Sequence, residues 1–280
     1  MPRVTEKFSY WMLVLPALAI MVIFYIVPVL GIWKIAFTEP VTGFGNFEKM
    51  AASSAVQTSF IITFRVAAVT TLGCLLLGYI VAYAISNYAS RLTPLMVALV
   101  ILPFWVSVLI RSFSWIVLLG RSGIVNDALR DAGLIDTPLK LMHNEFGVVI
   151  AMIHVMLPFA VLPMLTNMRG ISGAYVQAAR SLGASEWYAF RNVYFPQTMP
   201  GVMSGALLVF VLSLGFYVTP ALLGGGRVLM ISEYITYQIQ EFLNWGLGSA
   251  LSVALLVATA LVLLVAARFV NLRATLLDRK

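Results

Sequence analysis

The chain has 280 residues, 61% of them in the hydrophobic set and only 10% charged, with 18 Lys and Arg against 11 Asp and Glu for a net charge of +7. A soluble domain is nearer half apolar and a quarter charged, so this excess cannot be buried in one water-soluble core. Collagen, disulfide scaffolds, disordered tails and ordinary cytosolic enzymes are excluded on these grounds.

Apolar runs long enough to cross a bilayer lie at residues 9–35, 60–86, 93–119, 146–168, 201–223 and 247–270. The first, Phe8 to Ile35, exceeds the apolar length of a signal peptide and is read as a span. The expectation is an all-α, polytopic membrane protein with six transmembrane helices. Pro16, Pro28, Pro103, Pro158, Pro163 and Pro220 fall inside or near span ends and are candidates for kinks or breaks. Six spans put both termini on one side. Ten of the 18 basic residues fall on that side (Arg3, Lys7, Arg91, Arg169, Arg180, Arg191, Arg268, Arg273, Arg279 and Lys280), against five opposite (Lys49, Arg121, Arg130, Lys140 and Arg227). Both termini are therefore expected in the cytoplasm. The basic pI is mostly a topology signal, and no nucleic-acid partner is expected. The single cysteine, Cys74, lies in an apolar run and can form no intramolecular disulfide.

The loops on the other side carry their own patterns. Ile124 to Ala132 reads as a short helix closed by Gly133. After Gly224-Gly225-Gly226, residues 229–243 repeat apolar side chains at helical spacing, with Glu233 and Glu241 among polar neighbours. That pattern predicts an amphipathic surface helix.

Several chemistries are missing. No glycine is followed by lysine, so there is no P-loop, and neither G-x-S-x-G nor H-E-x-x-H occurs. His143 and His154 lie eleven residues apart in different environments, and no metal site is read from them. His154, inside the fourth span, faces either a helix partner or an aqueous path. Ser107, Ser112 and Ser114 lack a partnering base, so an enzyme is not expected.

The most informative stretch is the long connection 170–200. Ala174 to Leu182 is helix-forming, with Ala178 and Ala179 leaving a small, flat surface, and Gly183 suits the left-handed position that ends a helix. Ser185 is positioned to cap a second helix, with Glu186 at its positive end. That helix runs through Trp187, Tyr188, Phe190 and Val193 and is expected to stop at Pro196. The product is a helix-Gly-helix knuckle with exposed aromatics, which either meets a partner or lies on lipid headgroups.

Gln177-Ala178-Ala179, Gly183 and Val193-Tyr194-Phe195-Pro196 resemble the E-A-A-x3-G-x9-I-x-L-P motif of permease subunits in binding-protein-dependent ABC importers. Three residues separate Ala179 from Gly183 and nine separate Gly183 from Val193, as in the motif. Gln177 replaces the usual Glu, which puts any ion pair made there in doubt, while Val193 and Phe195 keep apolar packing. Ile101-Leu102-Pro103-Phe104-Trp105, Ile110-Arg111, Gly123 to Gly133 and Met199-Pro200-Gly201-Val202 resemble the spermidine/putrescine branch.

The resemblance implies an N-terminal helix and first periplasmic loop (1–59), a permease core (60–270) carrying the coupling loop, and a tail (271–280). It also implies a bacterial inner-membrane location and a polyamine or related solute as cargo. The implied partners are a cytoplasmic ABC ATPase dimer that binds ATP and Mg, a second permease, a periplasmic solute-binding protein and membrane lipid. This chain would bind no cofactor itself. Gln177, Ala178, Ala179, Arg180, Gly183, Val193, Phe195 and Pro196 would couple to the ATPase, with Arg191 beside them. Trp105, Arg111, Trp115, Phe216, Tyr217 and Glu233 are candidates for the solute path; the aromatics can equally face lipid, and Arg111 can instead snorkel or anchor to a carbonyl. The rival reading is a self-sufficient secondary transporter or channel, which would need coupling acids that the spans lack.

Overall fold

The computed structural model describes residues 14–88 and 91–277, with side chains described as far as Arg268. The beginning of the first predicted span, and Arg3, Lys7, Arg279 and Lys280, lie outside the described residues, as does the Arg273 side chain. No strand occurs among the described residues.

Among the described residues six segments are long and apolar enough to cross a membrane: Val14–Thr38, Ser54–Asn87, Val108–Asp131, Glu145–Arg169, Glu186–Leu214 and Trp245–Arg268. In chain order the helices are α1 (Val14–Thr38), α2 (Gly45–Ala52), α3 (Ser54–Asn87), α4 (Thr93–Ile101), α5 (Val108–Leu119), α6 (Ile124–Asp131) and α7 (Glu145–Arg169). They continue as α8 (Gly173–Ser181), α9 (Glu186–Leu214), α10 (Val218–Gly224), α11 (Ile231–Gln240) and α12 (Trp245–Leu277).

The chain forms two compact units. The smaller comprises residues 14–57 and 234–258. Its core is Ala36, Ala250 and Val253, packed against Phe37 and Phe47, whose rings lie 4.9 Å apart. The buried Asn46 donates to the carbonyls of Ala36 (2.9 Å) and Glu39 (2.6 Å), closing the turn after α1. A buried amide at the end of a spanning helix is tolerable because both its N–H groups find acceptors.

The larger unit comprises residues 58–233 and the chain from 259 onward. Its centre is the packing of α7 on α9, with Met156, Ala160, Val161 and Met164 buried on the α7 side. The approach is close because α9 presents glycine there. A Cβ on Gly201 would lie 2.7 Å from Asn167 Cβ and 3.0 Å from Met164 Cα. Small residues at a crossing let two membrane helices gain dispersion contact that lipid would otherwise supply. Pro158 and Pro163 are both accommodated within α7 without ending it.

Two predicted spans are broken. Residues 93–119 form α4, a 3₁₀ turn (Leu102–Trp105) and then α5, with extended backbone at Val106 and Ser107. Pro103 at the head of the 3₁₀ turn has no N–H for an α-helical bond, and Val106 N–H bonds back to Pro103 O at 3.3 Å. Residues 201–223 likewise divide into the end of α9 and α10, with the interruption at Gly215, Phe216 and Tyr217. Non-helical backbone at membrane depth persists only where protein or a cavity covers it. Here Ser232 Oγ donates to Phe216 O at 2.7 Å.

The helix predicted over 229–243 is shorter, α11, and its beginning is not a surface element. Met230, Ile231 and Glu233 are all buried, and Ile231 N–H donates to Thr63 Oγ1 at 2.8 Å. The apolar periodicity marks the helix but does not determine which side of its start is covered by neighbouring elements. A carboxylate in the first turn is electrostatically favoured by the helix N-terminus, which eases the burial of Glu233.

Candidate functional site

The knuckle forms at the end of α7. Ser172 caps α8, its Oγ accepting from Ala174 N–H at 3.3 Å. The far end of α8 is closed by two crossing bonds, Gly183 N–H to Arg180 O at 2.9 Å and Ala184 N–H to Ala179 O at 3.1 Å. This pairing is the Schellman arrangement, and it needs a left-handed residue between the two donors. Gly183 supplies it at φ +86°. Ser185 then caps α9, accepting from Tyr188 N–H at 3.3 Å, and Glu186 sits in the first turn. Glu186 also reaches back to Arg180 at 3.0 Å, so one ion pair ties the two helices of the knuckle. Arg180 is thereby held to its own chain by Glu186.

Gln177 and Ala178 are exposed and Ala179 is half-buried on α8. Leu182, 90% exposed, and Tyr188 flank Gly183 around a shallow cleft of about 560 Å³. Trp187 is 67% exposed and stacks on Phe190 at 5.8 Å. Behind these, Tyr83 on α3 meets Phe190 and Tyr194 edge-on at 5.6 and 5.5 Å, and Asn87 donates to the Tyr194 hydroxyl at 2.9 Å. The knuckle is therefore anchored to α3 by aromatic contacts on one side and offers an apolar surface on the other.

Pro196 does not end the second helix. Helix α9 continues without interruption to Leu214, passing through one wide π turn at Phe190–Tyr194. The expected stop is corrected on that ground: the wider turn removes the clash between the proline ring and the preceding carbonyl. Val193 and Phe195 lie on this continuous helix, Val193 half-buried and Phe195 near Tyr79 at 5.8 Å. Arg191 is exposed.

The predicted path residues gather at the two interruptions. Arg111 and Ser112 open α5 and are buried, and Ser112 shares a 3.1 Å hydroxyl contact with Thr219 of α10. Trp115, one turn along, donates its indole N–H to His154 Nδ1 at 3.2 Å. His154 thus faces a helix partner. Among the described residues no acceptor meets Nε or Nη1 of Arg111. Phe216 packs between the two main clusters of the larger unit, Tyr217 is partly exposed, and Glu233 follows Ser232, which bonds to Phe216 O. Trp105 is 88% exposed on its 3₁₀ turn. Sequence reasoning missed Thr219 and Ser232, which lack any periodic or charge signal, and the clamp made by Asn126. That buried amide accepts from Leu139 N–H (2.8 Å) and donates to Gly120 O (2.9 Å) and Leu139 O (3.1 Å). Among the described residues no cluster of His, Cys, Asp or Glu could hold a metal ion.

These features define a multi-pass, all-helical membrane protein with broken spans and a structured knuckle at one end of its central helix pair. Residues 74–280 match the family described as binding-protein-dependent transport system inner membrane component, and the chain belongs to that family. The ABC-importer resemblance drawn from the knuckle motif is confirmed by that match. Similar proteins include the spermidine/putrescine transport system permease protein PotB of Haemophilus influenzae, 37% identical over 185 residues that make up 66% of this chain and 65% of that protein. PotB of Escherichia coli K12 is 34% identical over 189 residues, 68% of this chain and 69% of that protein. The chain thus spans just under two thirds of the Haemophilus influenzae relative. A crystal structure of a bacterial ABC transporter involved in import of the acidic polysaccharide alginate superposes with a TM-score of 0.75 over 95% of this chain and 96% of that one, at 19% identity. A second alginate transporter structure, in complex with an alginate-bound periplasmic protein, gives the same TM-score of 0.75 over 94% of each chain, at 18% identity. At these identities the likeness is one of fold.

Proposed function

We propose that this chain is the permease subunit of an ATP-driven importer in a bacterial inner membrane, with both termini and the knuckle in the cytoplasm. It works with a second permease, a cytoplasmic ATPase dimer that holds ATP and Mg, and a periplasmic solute-binding protein. The cargo is a small organic cation of the polyamine class, as the PotB relatives are named for. The observation that carries the reading is the knuckle: two capped helices, joined at a left-handed glycine and locked by Arg180 and Glu186, presenting Leu182 and Tyr188 exposed among the described residues. Exposed apolar side chains on a rigid projection are what a partner's groove requires. Gln177, Ala178 and Ala179 give that surface its flat face, and neutral Gln177 makes the contact without an ion pair. Closure of the ATPase would draw the knuckle inward, and the rocking helices would expose the path around Arg111, Trp115, Phe216, Tyr217 and Glu233 alternately to each side.

The test is to purify the tagged chain in mild detergent from a host expressing its native partners and identify what co-purifies by mass spectrometry. An ATPase and a second permease are expected, with ATP hydrolysis stimulated by binding protein loaded with spermidine or putrescine. Recovery of the chain alone, with unassisted uptake in vesicles, would overturn the proposal in favour of a self-sufficient carrier.

A further inference from the structure

At the end of α7 opposite the knuckle, three stretches of the larger unit meet. They are the turn after α5 with Arg121, the segment before α7 with Lys140 and His143, and the segment after α10 with Arg227. Their backbones are fixed to one another. Asn126 clamps Gly120 to Leu139, and His143 N–H donates to Leu223 O at 3.0 Å. Gly225 lies so close to the His143 ring that a Cβ there would overlap it. Between them is a cleft of about 730 Å³, within the roughly 300–1,000 Å³ of ligand sites. One wall is cationic, from Arg121, Lys140 and Arg227; another is apolar, from the half-buried Ile116, Leu141 and Met142.

No Asp or Glu lines the cleft. Among the described residues the three cations form no ion pair, since Glu145 is taken by Arg65 and Asp127 lies beside Arg130. Three like charges held around one cleft without a counter-charge raise its positive potential and favour an anionic oxygen ligand. The depth is informative too. Helix α7, at 25 residues, is about 37 Å long against a hydrocarbon core of about 30 Å, which brings its first turn to headgroup level. Phe146, next to the cleft, is exposed as lipid contact would require.

We propose that this cleft binds the headgroup of an anionic phosphoglyceride on the face of the membrane opposite the knuckle. Arg121, Lys140 and Arg227 meet the phosphate oxygens, and Ile116, Leu141 and Met142 meet the first methylenes of the acyl chains. The apolar wall at bilayer depth favours a lipid over an acidic protein surface, which would need charge alone. An organic cation is disfavoured by the same three charges, so the site is separate from the proposed cargo path and does not depend on it.

The experiment is native mass spectrometry of the full chain in neutral detergent, titrated with phosphatidylglycerol or phosphatidylcholine. The wild type should retain one phosphatidylglycerol in preference to phosphatidylcholine. Arg121→Gln/Lys140→Gln/Arg227→Gln should weaken that binding about tenfold or more, and Arg121→Lys/Arg227→Lys should keep it. Equal retention of the two lipids, or unchanged binding in the glutamine variant, overturns the proposal. So does displacement by inorganic phosphate that binds alone, which would make the cleft a free-anion site. A glutamine variant that binds lipid normally but loses its response to the solute-binding protein would make it a protein dock instead.

Discussion

Substituting Gly183 separates backbone conformation from side-chain size, because its φ is +86° and no described residue beyond its chain neighbours lies within 4 Å of where a Cβ would stand. Any cost of Gly183→Ala is therefore conformational: an L-residue in the left-handed region loses about 1–2 kcal/mol. The loss falls on the two bonds that close α8, Gly183 N–H to Arg180 O and Ala184 N–H to Ala179 O. Opening of that cap should become about 5–30-fold more frequent. Hydrogen exchange at the Ala184 amide, in nanodiscs, reads this directly. Gly183→Asn should lie between Gly and Ala, since asparagine tolerates this region. Gly183→Val should be the worst, being β-branched. Uptake in the assembled importer should follow the same order. If alanine, asparagine and valine exchange alike, or if exchange tracks side-chain volume, the left-handed geometry is not what the position requires.

Further outcomes follow from contacts elsewhere. Gly201→Val forces a side chain into Asn167 and the Met164 backbone; overpacking of this kind costs about 1–3 kcal/mol, and the melting temperature in detergent should fall while Gly173→Val, in open space, leaves it unchanged. Asn126→Ala removes the acceptor of Leu139 N–H and the donor to Gly120 O, at about 1–3 kcal/mol, and limited proteolysis should cut faster between residues 120 and 144. Ser185→Ala removes the cap on Tyr188 N–H, at about 1 kcal/mol, and the Tyr188 amide should exchange severalfold faster with global stability unaltered.

What the sequence made legible was whatever has a local cause. Gly183, Ser185 and Glu186 each act within a turn of themselves, so the knuckle could be read residue by residue, as could the short helix closed by Gly133, whose φ is +67°. The six spans were legible because length and hydropathy are additive along the chain. The breaks at Val106–Ser107 and Gly215–Tyr217 were not, since an interrupted span and a whole one have the same apolar content. Pro103 and Pro220 marked them only as candidates, Pro220 lying in the first turn of α10 just past the second break. The burial of Glu233 and the pairing of Trp115 with His154 were out of reach for a different reason. Each depends on which helix lies opposite, and periodicity states that a face is covered without stating by what.

Pro196 shows how a local rule is overridden by residues a turn away. A proline inside a helix removes one donor and pushes against the carbonyl four residues back, which normally ends the helix. Here the turn before it is widened, and Phe195 N–H bonds to Phe190 O across five residues. Side-chain donors add bonds on either side: Asn192 Nδ2 reaches Tyr188 O at 3.1 Å, Gln197 Nε2 reaches Val193 O at 2.7 Å, and Thr198 Oγ1 reaches Phe195 O at 2.7 Å. These three bonds supplement the backbone ladder around Pro196, and the helix stays intact to Leu214. Because it is intact, the second helix of the knuckle and the span that packs on α7 through Gly201 are one element. A displacement at Glu186 is therefore carried by helical backbone, not by a flexible hinge, as far as the packed interior around Met164.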